Sequence, residues 1–314
     1  MTESLLAPWV GDVRDFFAAH WRRHPAVFTP DPAPAPPLTL EDVDTALATG
    51  FLRTPYAEMW ADGKMLSGRH YTTSRTVARD KPDGFVDTGK IGTLLDEGAT
   101  LLLRSLDQWH APTREFITAL AQEMGRPIES FCFITPAGSP GLPLHRDDAD
   151  VLVLQIAGSK RWAVHEGPAG ADWHAGRITA DEPQPAQIAD HVLSPGHVLY
   201  VPRGFAHRAT GQEGLSVHLS LTVREVATAD LSAALGEGIG EGVTRQRLPL
   251  SDQDVEDTAA ALLDAARHRL DALTPKDLVE LARRARIDRM PTAAEPLSLT
   301  ALGGSAPPGT PPLS

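Results

Sequence analysis

Apolar residues fall at helical spacing near both ends of the chain and in short strand-like bursts through its middle. Residues 12–21 (DVRDFFAAHW) place Val13, Phe16, Phe17 and Trp21 on one face of a short amphipathic helix. PDPAPAPP (30–37) is an extended connector. Thr39 then caps a helix over LEDVDTALAT that ends at Gly50. Residues 51–90 are mixed, with strand-like pieces such as RHYTTSRTV. Gly98 opens a strand, ATLLLRSL, and Pro112 begins a helix, TREFITALAQEM, that stops at Gly125.

From 128 to 225 the texture changes to IESFCFIT, DVLVLQIA, KRWAVHE, HVLYVP and LSVHLSLTV, broken by Gly and Pro. Regular short strands with turn signals predict an antiparallel sandwich or barrel. Gly158-Ser159 suits a tight hairpin between two of them. In LSVHLSLTV, apolar positions alternate with Ser216, His218, Ser220 and Thr222, which fits either a strand with one face in water or a polar pocket wall. After about 228 the pattern is helical again. Val255, Ala259, Leu262, Leu263, Ala266, Leu270 and Leu273 form one stripe, and Thr274-Pro275 with Asp277 starts a further helix. SAPPGTPPLS reads as a disordered tail.

The bulk numbers narrow the function. A chain of 314 residues suffices for one large domain or a domain with an appendage. A net charge of −12 argues against direct nucleic-acid binding, which needs a cationic surface, and suits a basic partner or a small substrate. The dense basic run ARRARIDR (282–289) reads as the solvated face of a helix. Cys132, the single cysteine, excludes an internal disulfide and reads as a small buried hydrophobe. No apolar stretch approaches the ~20 residues that span a membrane. Without a signal-peptide pattern at the start, a cytoplasmic protein is expected.

Chemistry concentrates in GLPLHRDDADVLVLQIAGSKRW (141–162). On a strand, His145 and Asp147 project to one face, and Arg146 and Asp148 to the other. A His-x-Asp pair with His207, read as lying in a turn just after a strand, makes the two-His-one-carboxylate set of mononuclear iron(II) oxygenases. The competing reading is a solvated surface turn.

TPAGSPGLPLHRDDADVLVLQIAGSKRWAVHE and LSPGHVLYVPRGFAHRA resemble the JmjC-type ribosomal oxygenases, a branch of the cupin-like iron(II) and 2-oxoglutarate enzymes. DFFAAHWRRHPAVF and GATLLLR resemble the N-terminal segments of that family, so the likeness covers roughly residues 10–225.

The resemblance implies an α+β chain around a double-stranded β-helix (jelly-roll, cupin-like) core. An N-terminal segment would occupy residues 1–97, the catalytic barrel 98–228, a helical dimerisation region 229–290 and a tail 291–314. It further implies Fe(II) on His145, Asp147 and His207, and 2-oxoglutarate as cosubstrate with its far carboxylate on Lys160 and near Ser220. Gln155 and Trp162 would pack around the site.

Dioxygen and a protein or peptide side chain would be the other reactants, in a homodimer without membrane or nucleic-acid contacts. A small-molecule hydroxylase, or a non-enzymatic cupin-like binding protein, stays open. Lys160 shares a strand face with Trp162 and should point inward, where its ammonium needs an anion; a head group in water is the alternative. The chain departs from the family at Phe133, where a donating Tyr is frequent, and at His197, where a Pro-Gly-Asp turn is usual. After Ile287 too little chain remains for a complete winged helix.

Overall fold

The computed structural model describes residues 4–170, 172–237 and 251–291. The tail SAPPGTPPLS lies outside them. Helices are α1 (Ala7–Val10), α2 (Val13–Asp15, continued by a π-turn to His20), α3 (Leu40–Thr49), α4 (Thr88–Asp96), α5 (Leu106–Trp109), α6 (Ala111–Met124), α7 (Thr228–Glu237), α8 (Asp252–Ala272) and α9 (Pro275–Asp288). Strands are β1 (Ala26–Phe28), β2 (Ala57–Ala61), β3 (Lys64–Met65), β4 (Thr72–Thr73), β5 (Phe85–Val86), β6 (Thr100–Arg104), β7 (Ile128–Thr135), β8 (His145–Arg146), β9 (Asp150–Ala157), β10 (Lys160–His165), β11 (Gly176–Arg177), β12 (Gln187–Leu193), β13 (Val198–Val201), β14 (Ala206–Gly211) and β15 (Ser216–Val223).

Eight strands pair in the order β1-β13-β9-β15-β7-β6-β2-β3, and five in the order β11-β8-β14-β10-β12. The two antiparallel sheets face each other, the jelly-roll arrangement of an α+β chain. The larger sheet takes three strands from the N-terminal segment, so that segment and the barrel share one sheet.

Alternation explains why β9 carries the unbroken apolar run Val151–Leu154. Leu152 and Leu154 enter the core shared with the N-terminal helices and α6, whereas Val151 and Val153 meet Trp162, Val164 and Leu199 between the sheets. In β15, Val217, Leu219, Leu221 and Val223 join the helical core. Ser216, His218, Ser220 and Thr222 are buried too, so the water-facing alternative for this strand is excluded. Cys132 is fully buried, and loss of solvent pushes its thiol up to about 12.

The caps lie where the side chains predict them. Thr39, Ser251 and Thr274 each accept a hydrogen bond from the N3 backbone amide, and Gly50 and Gly125 close α3 and α6 in the left-handed conformation. RHYTTSRTV forms only a short 3-10 turn and the two-residue β4.

The Gly158-Ser159 hairpin is not formed. β9 pairs with β13 and β15, while β10 pairs with β12 and β14 in the other sheet. The turn is a crossing between sheets, made at Gly158 with φ +57°. A Cβ there would sit 2.5 Å from the Leu215 carbonyl oxygen, so the close approach requires glycine.

ARRARIDR is also corrected. Arg283 donates to Glu225 at 2.6 and 2.9 Å, and Arg286 to the Glu225 carbonyl at 3.1 Å, so the run docks α9 rather than facing only water. Glu225 also receives Arg22 at 2.8 Å and Arg126 at 3.2 Å. Burial raises its pKa, but the bonds from Arg283, the Val226 amide and Arg22 hold it well below the usual carboxylate range.

Glu225→Ala leaves the partly exposed guanidiniums of Arg22, Arg126 and Arg283 without this partner and should cost about 2 kcal/mol of unfolding free energy, read by urea denaturation. Because its folded pKa is depressed, the wild-type contribution is complete above the ordinary value of 4.5 and is lost as pH falls below it. The stripe on α8 stays uncovered: Val255, Leu262, Leu263 and Leu270 are exposed.

Candidate metal centre and adjoining cavity

β8 and β14 pair in register with His145 directly opposite His207, and this pairing closes the long sequence separation between them. His207 is the second residue of β14, not part of a turn after a strand. The ring centroids lie 4.3 Å apart.

β8 ends at Arg146, so Asp147 belongs to the following loop. Gly204 donates its amide to the Asp147 carbonyl at 3.0 Å, which fixes that loop. The Asp147 carboxylate then lies 3.8 Å from His145 Nε2 and 3.5 Å from His207 Nε2. One ligand atom from each of the three residues falls within 4.8 Å of the others.

The donor set fits a divalent ion. His145 Nδ1 donates to the Pro143 carbonyl at 2.8 Å and His207 Nδ1 to the Phe205 carbonyl at 3.1 Å. A carbonyl oxygen can only accept, so each ring carries its proton on Nδ1 and offers the Nε2 lone pair. Burial, then the neighbouring His145, pushes His207 down to about 4, which keeps its imidazole neutral at physiological pH. These three could hold a metal with open positions, as two His and one carboxylate do in non-haem iron sites.

Arg146 and Asp148 do not turn away. Strand alternation stops where β8 stops, and both border a cavity of about 430 Å³ alongside the three ligands. Asp148 pairs with Arg224, which also reaches Glu129 at 2.9 Å and so ties the ligand loop to β7. Asp150, whose importance the sequence pattern hid inside an apolar strand, is fully buried. It accepts from Tyr200 Oη at 2.7 Å, Arg22 Nε at 3.1 Å and the Arg203 amide at 3.2 Å, anchoring the far end of the same loop.

Lys160 faces inward, 1% exposed, beside Trp162 and Val164 with Arg161 outside. The water-facing alternative is therefore excluded. Its Nζ donates to Thr135 Oγ1 at 2.9 Å and lies 3.5 Å from His218 Nδ1. No carboxylate pairs with it among the described residues. Burial pushes Lys160 down to about 7, against a weak opposing effect of Cys132.

His218 is stacked on Phe133 at 4.9 Å and lies edge-on to Trp162, which in turn packs 5.9 Å from His207. Burial, then Lys160, lowers its pKa too. With Nδ1 turned to the ammonium, its proton sits on Nε2. Ser220 is buried on the same wall, its hydroxyl free of any protein hydrogen bond among the described residues.

Gln155 lies behind this wall, donating to Ser216 Oγ at 3.0 Å and the Ala157 carbonyl at 2.8 Å. His197 closes its own turn, accepting from the Ser194 amide at 3.3 Å, and is not a lining residue. Sequence reasoning missed Thr135 as a partner of Lys160, and Trp60, Arg104 and Arg224 as lining residues. Thr135 opens the TPAGS loop and could have been found there. The other three come from distant elements without a local signal.

Residues 107–231 match the family model described as "JmjC domain". The chain is 34% identical over 172 residues to the bifunctional lysine-specific demethylase and histidyl-hydroxylase NO66 of Drosophila simulans, covering 52% of this chain and 20% of that protein. It is 32% identical over 126 residues to ribosomal oxygenase 2 of Mus musculus, covering 38% of this chain and 27% of the other. The matches thus span well under half the length of these curated relatives.

Among solved structures, Escherichia coli ycfD superposes with a TM-score of 0.52 at 18% identity, over 86% of this chain and 70% of that one. The same enzyme, described as a ribosomal oxygenase in complex with cobalt and 2-oxoglutarate, gives 0.50 at 19%, over 82% and 67%. At these identities the structural likeness establishes the fold.

Proposed function

We infer that the chain, whose residues 107–231 match the JmjC domain model and which is similar to NO66 and to ribosomal oxygenase 2, is a JmjC-type iron(II)- and 2-oxoglutarate-dependent oxygenase that hydroxylates a C–H bond on a protein or peptide side chain. Relatives named histidyl-hydroxylase and ribosomal oxygenase support a protein substrate. The observation that carries the reading is one cavity with two complementary demands. Three metal-type ligand atoms converge at one part of its wall, and a buried ammonium without a carboxylate lies on another.

Iron(II) held there, with 2-oxoglutarate and dioxygen, supplies insertion of one oxygen atom into a C–H bond while 2-oxoglutarate becomes succinate and carbon dioxide. His145, Asp147 and His207 are the proposed ligands. The Pro143 and Phe205 carbonyls keep both imidazoles in the ligating tautomer. Lys160 receives the far carboxylate of 2-oxoglutarate, and its present partner Thr135 keeps the ammonium oriented. Ser220 adds a hydroxyl to the same end. Phe133 cannot donate; its stacking on His218 stiffens the wall instead. Val151, Leu102 and Trp162 keep the lining largely apolar, which strengthens every charged contact inside.

Residues 98–228 are proposed as the catalytic barrel, 1–97 as a segment packed on it, 229–290 as a helical region and 291–314 as a tail. The exposed apolar stripe of α8 supports that helical region as a homodimer face. No described helix is long and apolar enough to cross a membrane; a cytoplasmic location is part of the same proposal.

Anaerobic addition of 2-oxoglutarate to the Fe(II)-loaded protein should produce a weak visible charge-transfer band. Absence of the band in the wild-type protein overturns the reading. Mass-spectrometric comparison of cell proteins with and without the gene should then reveal a side chain heavier by one oxygen. If no protein changes, a small-molecule substrate replaces the protein one.

A further inference from the structure

A second cavity, of about 700 Å³, adjoins the first and shares Arg104 and Phe131 with it. Arg104 lies over the Phe131 ring at 5.4 Å and is held by Glu58 at 2.6 Å, so the two side chains form a fixed ridge between the cavities. The second cavity lies where α5, the start of β7 and the end of α9 meet.

Most of the charges around it are already matched. Arg286 is 3.6 Å from Asp230 and Arg289 is 3.8 Å from Glu237, while Glu129 is 2.9 Å from Arg224. Asp107 differs. It is 8% exposed, has no ion pair among the described residues, and receives a side-chain hydrogen bond only from Ser130 Oγ, at 3.3 Å. Burial raises its pKa, with a smaller push from Glu129, against the lowering effects of its own backbone amide, the Ser130 hydroxyl and the more distant Arg114. A carboxylate inside a cavity and without an ion-pair partner favours any ligand that brings a cation into contact with it.

We propose that the second cavity is a subsite for a cationic side chain of the polypeptide substrate, bound by Asp107 while the reacting residue enters the first cavity across the Arg104–Phe131 ridge. The net charge of −12 favours approach of such a basic segment. The substrate clause rests on the oxygenase reading; the cation site does not.

The test uses the full chain with methyl labels. Ile128 and Met290 report the second cavity, and Leu142 and Val151 the first. N-acetyl-arginine amide should shift the Ile128 and Met290 signals. Its neutral near-isostere, N-acetyl-citrulline amide, should bind at least about tenfold more weakly. Asp107→Asn should bring the arginine compound to the citrulline level, whereas Asp147→Ala should leave it unchanged. Equal binding of the two compounds to the wild-type protein, or shifts confined to Leu142 and Val151, overturns the proposal even if the Asp107 variant folds poorly.

Mapped hydroxylation sites should also carry Arg or Lys within a few residues of the modified position; absence of that bias overturns the substrate clause. A charge-transfer band with no cation site sinks this inference alone. A cation site without the band sinks the oxygenase reading alone.

Discussion

His207→Ala should abolish the rise in melting temperature that Fe(II) or Co(II) is expected to give the wild-type protein. The three ligand atoms lie on three separate pieces of chain, β8, the loop after it and β14, and the native register alone brings them within 4.8 Å. An unfolded chain lacks that cluster, so a metal that binds it stabilises the fold by RT ln(1 + [metal]/Kd), about 2.7 kcal/mol at a hundredfold excess over Kd. Loss of a partner that merely orients a ligand costs roughly 10- to 100-fold in metal affinity, and loss of the ligand itself costs more. Asp147→Asn and His145→Ala should behave alike.

Asp190→Ala, which removes the exposed ion pair with Arg161, is the control and should leave the metal response intact. The measurement is calorimetric melting with and without metal, and it needs no substrate. A metal-dependent shift that persists in His207→Ala would remove this residue from the centre.

Lys160→Met should separate binding of the cosubstrate from binding of the metal. Truncating one partner of a buried charge pair costs about 2–5 kcal/mol, so affinity for 2-oxoglutarate should fall roughly 30-fold or more. Metal affinity should stay unchanged, because Lys160 contacts Thr135 and His218 and none of the three ligands.

The ligand-free protein should move the other way. The Lys160 pKa is lowered from 10.5 to about 7, so between those values the unfolded chain binds more protons than the folded one. Stability of the wild type should therefore rise as pH climbs from about 7 toward 10.5, by up to about 1.4 kcal/mol per unit. The methionine variant should lose this slope and be the more stable protein near neutral pH. Saturating 2-oxoglutarate should flatten the wild-type slope by holding the ammonium charged. Unchanged 2-oxoglutarate affinity in Lys160→Met would place the anchor elsewhere.

Much of the architecture was legible because its signals are local. Thr39, Thr274, Pro112, Gly50 and Gly125 mark helix ends through the hydrogen bonds and dihedrals that their own side chains permit. The continuous apolar run of β9 announced a strand buried on both faces. Alternation in KRWAV placed Lys160 inside with Trp162.

Failures came where a segment's neighbours decide. Gly158-Ser159 is chemically a good hairpin turn, yet β9 finds better-buried partners in β13 and β15 than in β10. A basic run reads as solvated until Glu225 is placed beneath it. Arg146 and Asp148 kept to strand alternation only in a strand that stops too early.

By itself the sequence determined the residue types of the candidate ligands, the strand that carries His145 and the inward face of Lys160, because residue type and a period of two are properties of the chain alone. Only the tertiary structure decided that His145 lies opposite His207, and that Asp147 reaches both from a loop pinned by Gly204 and Asp150. It also decided that, among the described residues, the Lys160 ammonium meets a hydroxyl and an imidazole but no carboxylate, and that Asp107 has no ion-pair partner. These are contacts between segments far apart in the chain. Their geometry follows from the register and packing of two sheets, which no single segment encodes.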